Sequence, residues 1–390
     1  MGQLAAWPGI AIGWLVLSSP LSAQEPKLRS TLHGHTDEIR CVAVSPDGST
    51  LASGSGDAIR FWDVASGKAL ATLENVADFG IECVTFSPDG KTLAVGAGGN
   101  KIKLLDVGTR KVTTLLDDVS QFASPLVVFS SDGKTLASGG QCIHELKLWD
   151  VTTGRSTATL KGYDAYGVRA LVFTPDGKTL VAMGHHDGLK RWDVATGKPA
   201  PDPPPPEAAP KLIARLGAPD YRSREQASNE LTRFGIPVLP LLREAAKSKN
   251  EPEVQRRLEL LVRQIENTTL ISADGIHCAA FSPDGKTLAT ATGDGNFKLW
   301  DVATGKEQAT LDGHAPDVRI AIFSPDGKSL ASGSANGKIR LWDVGRSKEL
   351  ATLKGHTAKV NSLAFSVDGK LLVSASADKS IKLWDVTRTK

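Results

Sequence analysis

The sequence has almost no excess charge of either sign. Its 390 residues include 46 Lys and Arg against 43 Asp and Glu, which leaves a formal net charge of +3. A protein that holds nucleic acid mainly through its phosphates normally carries a clustered basic surface. The composition therefore argues against an electrostatic nucleic-acid binder and fits a globular protein with 41% apolar residues.

Long apolar runs are also missing, except at the N-terminus. Residues 1–23 contain an uncharged apolar run from Leu4 to Leu17 and small residues before Gln24. This pattern is typical of a secretory signal cleaved after Ala23, although no basic residue precedes Lys27. An uncleaved membrane anchor is the alternative, but the run is shorter than the ~20 residues of a full span. We expect an exported protein, periplasmic or extracellular, with no stable membrane span after cleavage.

Cysteine is scarce, with four in the whole chain. Cys41, Cys83 and Cys278 each lie four residues before the Ser of an SPDG tetrapeptide, so they occupy equivalent places in a repeat. Equivalent sites in neighbouring repeats lie too far apart for a disulfide, whose Cα atoms must be within about 7 Å. We expect buried free thiols there, and Cys142 has no such equivalent.

What is present is an internal repeat. Tryptophan recurs every 42 to 44 residues, with Leu105 in place of one copy and a single long step of 108 residues. The long step holds one further repeat and an insertion of about 66 residues. The tryptophans concerned are Trp62, Trp149, Trp192, Trp300, Trp342 and Trp384.

Each repeat predicts four short strands and no helix. Alternating apolar runs flank SPDG or a close variant, where Pro and Gly favour a β-turn between two strands. With GH near the start and WD near the end, the units resemble WD40 repeats of a β-propeller. The resemblance implies an all-β, seven-bladed WD40 propeller over residues 27–198 and 267–390, with a small α-helical insertion in blade 4.

Segments ending in TL predict how the ring closes. Seven of them occur, and the first, Leu28–Leu32, precedes every WD. Pairing it beside Ile381–Val386 completes the seventh blade and removes an exposed sheet edge. Residues 267–270, NTTL, are predicted to form the fourth strand of blade 4.

The resemblance also implies a hydrogen-bonded set of Trp, Ser or Thr, Asp and His in each blade. A buried polar network of this kind needs every member satisfied. Because the same trio of His, Ser and Asp recurs around the ring, we interpret it as structural and expect no catalytic residue, cofactor or metal. The set comprises His35, Ser53, Asp57, Trp62, His314, Ser332, Asn336, Trp342, His356, Ser374, Asp378 and Trp384.

Loop aromatics suggest a binding face on the rim that carries the GH loops. Phe79, Phe122 and Tyr166 take the same place in three consecutive repeats, with Tyr163, His185 and His186 nearby. Aromatic side chains in loops are typical binding residues. The alternative is that the rings pack inward where a blade has lost its Trp or His, and the sequence leaves both open. His185 and His186 have no partner spacing for a metal, so a solvated turn is favoured there.

Residues 199–266 interrupt the repeat. A Pro-rich linker over 199–210 is followed by helical patterns over 211–266, with Ser223 and Gln226 spaced as a capping box and Gly235 as a stop. The helical patterns resemble a HEAT-like hairpin unit. Since they follow the WD of blade 4, the insertion is expected on the rim that carries the SPDG turns.

Taken together, these features predict a monomeric ring that acts as a non-catalytic protein-interaction scaffold. Its rim loops are expected to bind partner proteins or peptides. Two alternatives remain: a propeller enzyme, either a hydrolase or an oxidoreductase, and a binder of extracellular glycans or peptides.

Overall fold

A computed structural model provides the structure. It describes residues 25–56, 58–77, 80–98, 101–116, 125–140, 145–163, 167–185, 188–200, 205–268, 276–292, 295–312 and 318–387. The predicted signal, residues 1–23, and Cys142 lie outside these ranges.

Seven antiparallel sheets make up most of the chain. Strand β1 (Lys27–His33) comes before blade 1 in the sequence and belongs to the sheet of blade 7. Blades 1 to 3 each have four strands, which are β2 (Ile39–Val44), β3 (Thr50–Ser55), β4 (Ala58–Asp63), β5 (Ala69–Glu74), β6 (Ile81–Phe86), β7 (Thr92–Ala97), β8 (Lys101–Asp106), β9 (Val112–Leu116), β10 (Pro125–Phe129), β11 (Thr135–Gly140), β12 (Glu145–Asp150) and β13 (Ser156–Lys161).

Four helices separate blade 4 from blade 5. Blade 4 and the helices are β14 (Val168–Phe173), β15 (Thr179–Gly184), β16 (Leu189–Asp193), α1 (Ala209–Arg215), α2 (Tyr221–Phe234), α3 (Leu239–Lys247) and α4 (Pro252–Thr268). Blades 5 to 7 are β17 (Cys278–Phe281), β18 (Thr287–Ala291), β19 (Phe297–Asp301), β20 (Glu307–Leu311), β21 (Val318–Phe323), β22 (Ser329–Ser334), β23 (Ile339–Asp343), β24 (Lys348–Leu353), β25 (Val360–Phe365), β26 (Leu371–Ser376) and β27 (Ser380–Asp385).

The first strand of each blade contacts the first strand of the next, and the series is closed. It runs β2, β6, β10, β14, β17, β21, β25 and back to β2. These innermost strands surround the central channel, as radial repetition of sheets requires. The predicted all-β, seven-bladed propeller is therefore confirmed.

The ring closes through the first strand of the chain. Strand β1 pairs antiparallel with β27, in a register that sets Leu28 opposite Trp384 and Leu32 opposite Ile381. Leu32 is 5% exposed and joins the core between blades 7 and 1. The sheet order β1-β27-β26-β25 confirms the predicted closure and leaves β27 with a neighbour on each side.

Each SPDG-type turn is held by its own serine. In blade 7 the Ser366 hydroxyl donates to Asp368 Oδ1 at 2.6 Å and accepts the Leu371 amide at 2.9 Å. Gly369 supplies the left-handed residue, with φ of 68°. Val367 stands where five other repeats have proline, so the turn also forms without a proline.

Buried apolar side chains lie mainly between neighbouring blades. Phe297 and Leu299 of blade 5 pack with Leu330 and Trp342 of blade 6, and all four are at most 2% exposed. Close packing of this kind fixes the angle between blades, because a void costs free energy. The ring is consequently a rigid support for its loops.

The two ends of the ring differ. The loops before each first strand, including Gly34–His35 and Gly355–His356, share one end with the turns between second and third strands; we call it the GH rim. The SPDG turns and the turns after each third strand share the other end, the SPDG rim.

Blade 4 differs from the prediction. Within the described residues its sheet has three strands, and Asn267 and Thr268 of the predicted NTTL strand end helix α4 instead. An isolated bridge joins Pro199 to Trp192, and the Ala200 amide donates to the Arg191 carbonyl at 2.9 Å. Residues just after β16 thus cover part of the edge that NTTL was expected to cover.

The helices share a core of their own, which includes Leu231, Leu242 and Leu258. Helix α2 begins at Asp220, whose side chain accepts the Ser223 amide at 2.7 Å. The predicted N-cap at Ser223 is therefore wrong by three residues. Asp is favoured at the N-cap as strongly as Ser, and the helix begins after Asp220. Gly235 ends α2 as predicted, with φ of 67°. None of the helices in the described ranges is long and apolar enough to cross a membrane.

The helical insertion contacts the ring at blade 5. A Cβ built on Gly235 would collide with the carbonyl oxygen of Thr304, in the turn after β19 on the SPDG rim. Burial, together with nearby Arg233, lowers the pKa of Lys306 in the same turn. Both observations place the end of α2 against blade 5.

We predict that Gly235→Ala separates the insertion from the ring. The substitution puts a side chain on a left-handed residue and against backbone, at a cost of about 1–3 kcal/mol. Amide hydrogen exchange in the Thr304 turn should become faster. Gly217→Ala is the matched control, because its nearest neighbour is a Val254 methyl group at 3.4 Å. Equal exchange in both variants would contradict the contact.

Cys41, Cys83 and Cys278 are free thiols, as predicted. Burial raises the pKa of Cys83 to about 12 and that of Cys278 to about 12. Burial also raises the pKa of Cys41 well above its ordinary value. All three thiols are therefore protonated at neutral pH.

Candidate functional site

Blade 7 holds a complete polar network. His356 precedes β25, Ser374 lies on β26, Asp378 is in the following turn and Trp384 is on β27. His356 Nε2 is 2.7 Å from Ser374 Oγ, and His356 Nδ1 is 2.8 Å from Asp378 Oδ2. Trp384 Nε1 donates to Ser374 Oγ at 2.9 Å. The network links three elements of the blade around one buried hydroxyl.

The charges of this network are set by burial and hydrogen bonding. Burial lowers the pKa of His356, although Asp378 acts in the opposite direction. Burial alone would raise the pKa of Asp378, but hydrogen bonds from Ser380, the Thr357 amide and His356 hold it at about 2. At neutral pH a neutral imidazole therefore faces a carboxylate, an arrangement suited to holding a turn in place.

Blade 1 has the same arrangement of His, Ser and Trp. His35 Nε2 is 2.7 Å from Ser53 Oγ, which accepts Trp62 Nε1 at 2.8 Å. His35 Nδ1 lies 2.9 Å from the Ser55 hydroxyl. Asp57, predicted as the fourth member, lies outside the described residues.

In blade 6 the described residues include Trp342, Ser332 and Asn336 of the set. Trp342 Nε1 donates to Ser332 Oγ at 3.1 Å, and Asn336 Oδ1 accepts the Ser334 hydroxyl at 2.8 Å. His314 lies outside the described residues. In blade 3, Trp149 donates to Ser138 at 2.8 Å.

Tyr163, predicted as a partner-binding residue, is buried. Its side chain is 6% exposed, and its hydroxyl donates to the Ala182 carbonyl at 2.8 Å. The ring packs on Trp192 with centroids 5.6 Å apart, and Lys190 Nζ lies 4.6 Å from its centre. Ala182 stands where other blades have the network serine, so blade 4 has no serine hydroxyl at this place. The Tyr163 side chain, which is longer than that of His, reaches the backbone carbonyl of Ala182 instead. This corrects the surface hypothesis for Tyr163 in favour of packing.

The other partner-binding candidates are placed only in part. His185 is half-buried at the end of β15, where its carbonyl accepts the Ile276 amide at 3.3 Å. Phe79, Phe122, Tyr166 and His186 lie outside the described residues, so their two interpretations both stand. Within the described ranges, no group of three or more His, Cys, Asp or Glu is placed to hold a metal ion.

A feature that the sequence analysis missed lies at the GH rim. Five innermost strands carry a register shift one residue after their start, which marks a β-bulge. The residue inside each shift is Arg in three blades, Glu in one and Asn in one. We call these five the bulge residues: Arg40, Glu82, Arg169, Arg319 and Asn361.

On one side of the channel mouth, bulge residues link neighbouring blades. Arg40 of blade 1 forms an ion pair with Glu82 of blade 2. Asn361 of blade 7 donates to Glu38 Oε1 and to the Ile39 carbonyl, both at 2.8 Å. Lys359 Nζ lies 2.7 Å from Glu38 Oε1 as well. Blades 7, 1 and 2 are thereby joined by side chains at the rim.

On the other side of the channel mouth, the residues at this position are Arg or His. Arg319 of blade 6 is exposed, and Arg169 of blade 4 is half-buried. His277, directly before β17 of blade 5, is exposed. A sequence signal was available, because the position before Cys41 and its equivalents is polar or charged in six of the seven repeats, Pro125 being the exception. Its meaning depended on the bulge, which re-aims the side chain.

Comparison with known proteins gives the family. The model of the WD domain, G-beta repeat, matches residues 26–63, 67–106, 154–193, 266–301, 305–343 and 347–385. Together these ranges cover more than half of the chain. The stretch between the second and third ranges holds blade 3, where the Trp149–Ser138 hydrogen bond marks the same repeat.

Similarity to individual proteins is confined to short stretches. Small ribosomal subunit protein RACK1z of Arabidopsis thaliana is 59% identical over 49 residues, 12% of this chain and 15% of that protein. Ribosome biogenesis protein bop1-A of Xenopus laevis is 42% identical over 50 residues, 12% and 7% of the two chains. Cross-pathway control WD-repeat protein 2 of Flammulina velutipes is 41% identical over 66 residues, 17% and 21%.

The match therefore spans about a fifth or less of each of these relatives. The repeat pattern, the closed ring of seven blades and the family model agree. The chain belongs to the WD40 repeat family.

Proposed function

We propose that this propeller is a non-catalytic protein-interaction scaffold that binds a partner protein through its GH rim. The observation that carries the proposal is the set of bulge residues. They occupy one structural position on a rigid ring, which holds arginine in blades 1, 4 and 6 (Arg40, Arg169 and Arg319), glutamate in blade 2 (Glu82) and asparagine in blade 7 (Asn361). A surface that varies on a repeating frame is suited to recognising one particular partner.

The polar groups that suggest catalysis have structural partners. Both ring nitrogens of His35 and of His356 are within 2.9 Å of Ser or Asp side chains of the same blade. A catalytic base needs a nitrogen that faces substrate. Engagement of these histidines supports a scaffold over a hydrolase.

The relatives support the same class of function. RACK1z is named as a small ribosomal subunit protein, and bop1-A as a ribosome biogenesis protein. Both names refer to the ribosome or to its biogenesis, that is, to a macromolecular assembly. The matched stretches are short. We therefore propose only that this chain belongs to an assembly, and we do not propose that the assembly is the ribosome.

The test is cross-linking mass spectrometry on the protein from its native source. We expect a co-purifying protein whose cross-links fall on lysines of the GH rim, such as Lys359 and Lys379. Arg319→Glu should weaken its binding about tenfold, since an exposed interface arginine typically contributes about 1–2 kcal/mol. The melting temperature should stay unchanged, because Arg319 is exposed.

Arg346→Glu is the matched control. Arg346 is exposed in the same blade, but it lies in the turn after β23 on the opposite rim. Retention of the partner by this variant and its loss by Arg319→Glu assign binding to the GH rim. Equal retention by both would refute the assignment, and recovery of a glycan or a turned-over small molecule in place of a protein would favour the alternative classes.

We also propose that the protein is exported. The support is the uncharged apolar run Leu4–Leu17 followed by small residues up to Ala23. N-terminal analysis of the protein from its native source should give Gln24 as the first residue. A protein that begins at Met1 or Gly2 would sink the proposal of a cleaved signal.

A further inference from the structure

The SPDG rim has an open groove beside the ring closure. It lies between blades 6 and 7, has a volume of about 520 Å³, and is continuous with a second depression of about 610 Å³ between blades 7 and 1. Both share Val367, Asp368, Lys370 and Thr387. We call the two together the closure groove. Within the described residues, no chain segment covers it.

The groove between blades 6 and 7 is largely apolar. Val367 is 58% exposed and Leu350 is 45% exposed, with Phe365, Pro26 and Val386 around them. Exposed apolar side chains that cluster in a concave surface mark an interaction site more often than scattered ones do. Their exposure costs solvation free energy, which a bound partner would recover.

This combination of residues is particular to one place on the ring. Val367 replaces the Pro or Ser of the other SPDG turns, which are Pro46, Pro88, Ser131, Pro175, Pro283 and Pro325. Leu350 corresponds in the repeat to Leu70 of blade 1, which is also exposed, and to Arg29, Thr113, Thr157 and Gln308 in the other four described outer strands. The fold needs no apolar residue at either position, because blade 3 forms the turn with Ser131 and the strand with Thr157.

The charges around the groove define what fits it. Its lining includes two basic residues, Arg29 and Lys370. Five carboxylates line it as well: Glu25, Asp47, Asp326, Asp368 and Asp385. A hydrogen bond from the Ser366 hydroxyl lowers the pKa of Asp368, and one from Ser45 lowers that of Asp47. The lining thus holds five acidic side chains against two basic ones, an excess of acidic groups.

We propose that the closure groove binds an extended segment of a partner protein in which an apolar side chain stands next to Lys or Arg. The apolar side chain lies between Leu350 and Val367, and the basic side chain lies near Asp368 and Asp385. Charge complementarity selects this partner over an acidic one and over a phosphorylated one, since like charges that meet at an interface oppose binding. The site is separate from the bulge residues, which lie on the opposite rim.

The test uses a random twelve-residue peptide library selected on the 390-residue chain. We expect enriched peptides that carry an apolar residue beside Lys or Arg, and we then measure binding of one such synthetic peptide. Val367→Asp should weaken it at least about tenfold. Asp385→Asn should weaken it less, and higher salt should weaken binding to the unsubstituted chain.

Val112→Asp is the matched control. Val112 is 49% exposed on the outer strand of blade 2, so the same substitution is made at similar exposure away from the groove. Its affinity should equal that of the unsubstituted chain. Because Arg319→Glu leaves the groove intact, it should also bind the peptide normally, which separates this test from that of the proposed function.

Four outcomes would overturn the proposal. The first is enrichment of acidic or phosphate-mimicking peptides, and the second is a peptide affinity that Val367→Asp leaves unchanged. The third is self-association that Val367→Asp abolishes, which would assign the groove to a second copy. The fourth is peptide binding seen only after removal of residues 1–23, which would assign the groove to the chain's own N-terminal segment.

Discussion

Deletion of Pro26–His33 should cost on the order of 5 kcal/mol of unfolding free energy. The deletion removes the whole β1–β27 ladder and the buried Leu32 side chain. The backbone of β27 from Ile381 to Trp384 would then lie on an open sheet edge. Thermal unfolding followed by calorimetry should show a lower midpoint and a broader transition, because an open ring loses contacts between blades 7 and 1.

A rearranged chain provides the control for this deletion. Residues 26–33 placed after Thr387 would enter blade 7 through a turn, as β5 does after β4 in blade 1. This variant should recover most of the lost stability, since it has the same strands with one connection moved. If the simple deletion unfolds at the same temperature as the unaltered protein, β1 does not close the ring.

Ser374→Ala should destabilise the protein by about 3 kcal/mol. Its hydroxyl oxygen is the shared partner of His356 Nε2 and Trp384 Nε1 in a buried site. Removing one partner from buried polar groups costs about 1–3 kcal/mol for each group left unsatisfied. Denaturant unfolding monitored by tryptophan fluorescence measures the loss directly.

Ser138→Ala in blade 3 is the matched control for Ser374→Ala. Ser138 is also buried and accepts a tryptophan, Trp149, at 2.8 Å. No histidine nitrogen bonds to Ser138 in the described part of blade 3, so its loss should be smaller, about 1–2 kcal/mol. Equal losses in the two variants would mean that His356 contributes nothing to the stability of blade 7.

The number of blades and the closure could be predicted from sequence because they depend on periodicity and counting. A repeat of 42 to 44 residues fixes the number of sheets, and a TL segment before the first WD requires a partner at the far end of the chain. The hydrogen bonds around Ser53 and Ser374 follow from fixed spacing within a repeat. These features need no knowledge of packing.

Features that depend on competition between neighbours could not be predicted in the same way. NTTL has the pattern of a strand, but its first two residues continue helix α4, because helix propagation costs little once the helix has formed. Tyr163 became a packing residue because Ala182 offers no hydroxyl. The bulges that re-aim Arg319 and Arg169 are register shifts, and the sequence pattern does not specify a register shift.

The pairing of β1 with β27 has a consequence for the order of folding. Some 350 residues separate the two strands, so β1 leaves the ribosome long before its partner exists. At about 5–20 residues per second, the wait is roughly 20–70 s. During that interval six blades can form, but blade 7 cannot, and the apolar face of β1 needs protection from other strand edges. Assembly of the ring is therefore a late event, completed only after synthesis has passed Asp385.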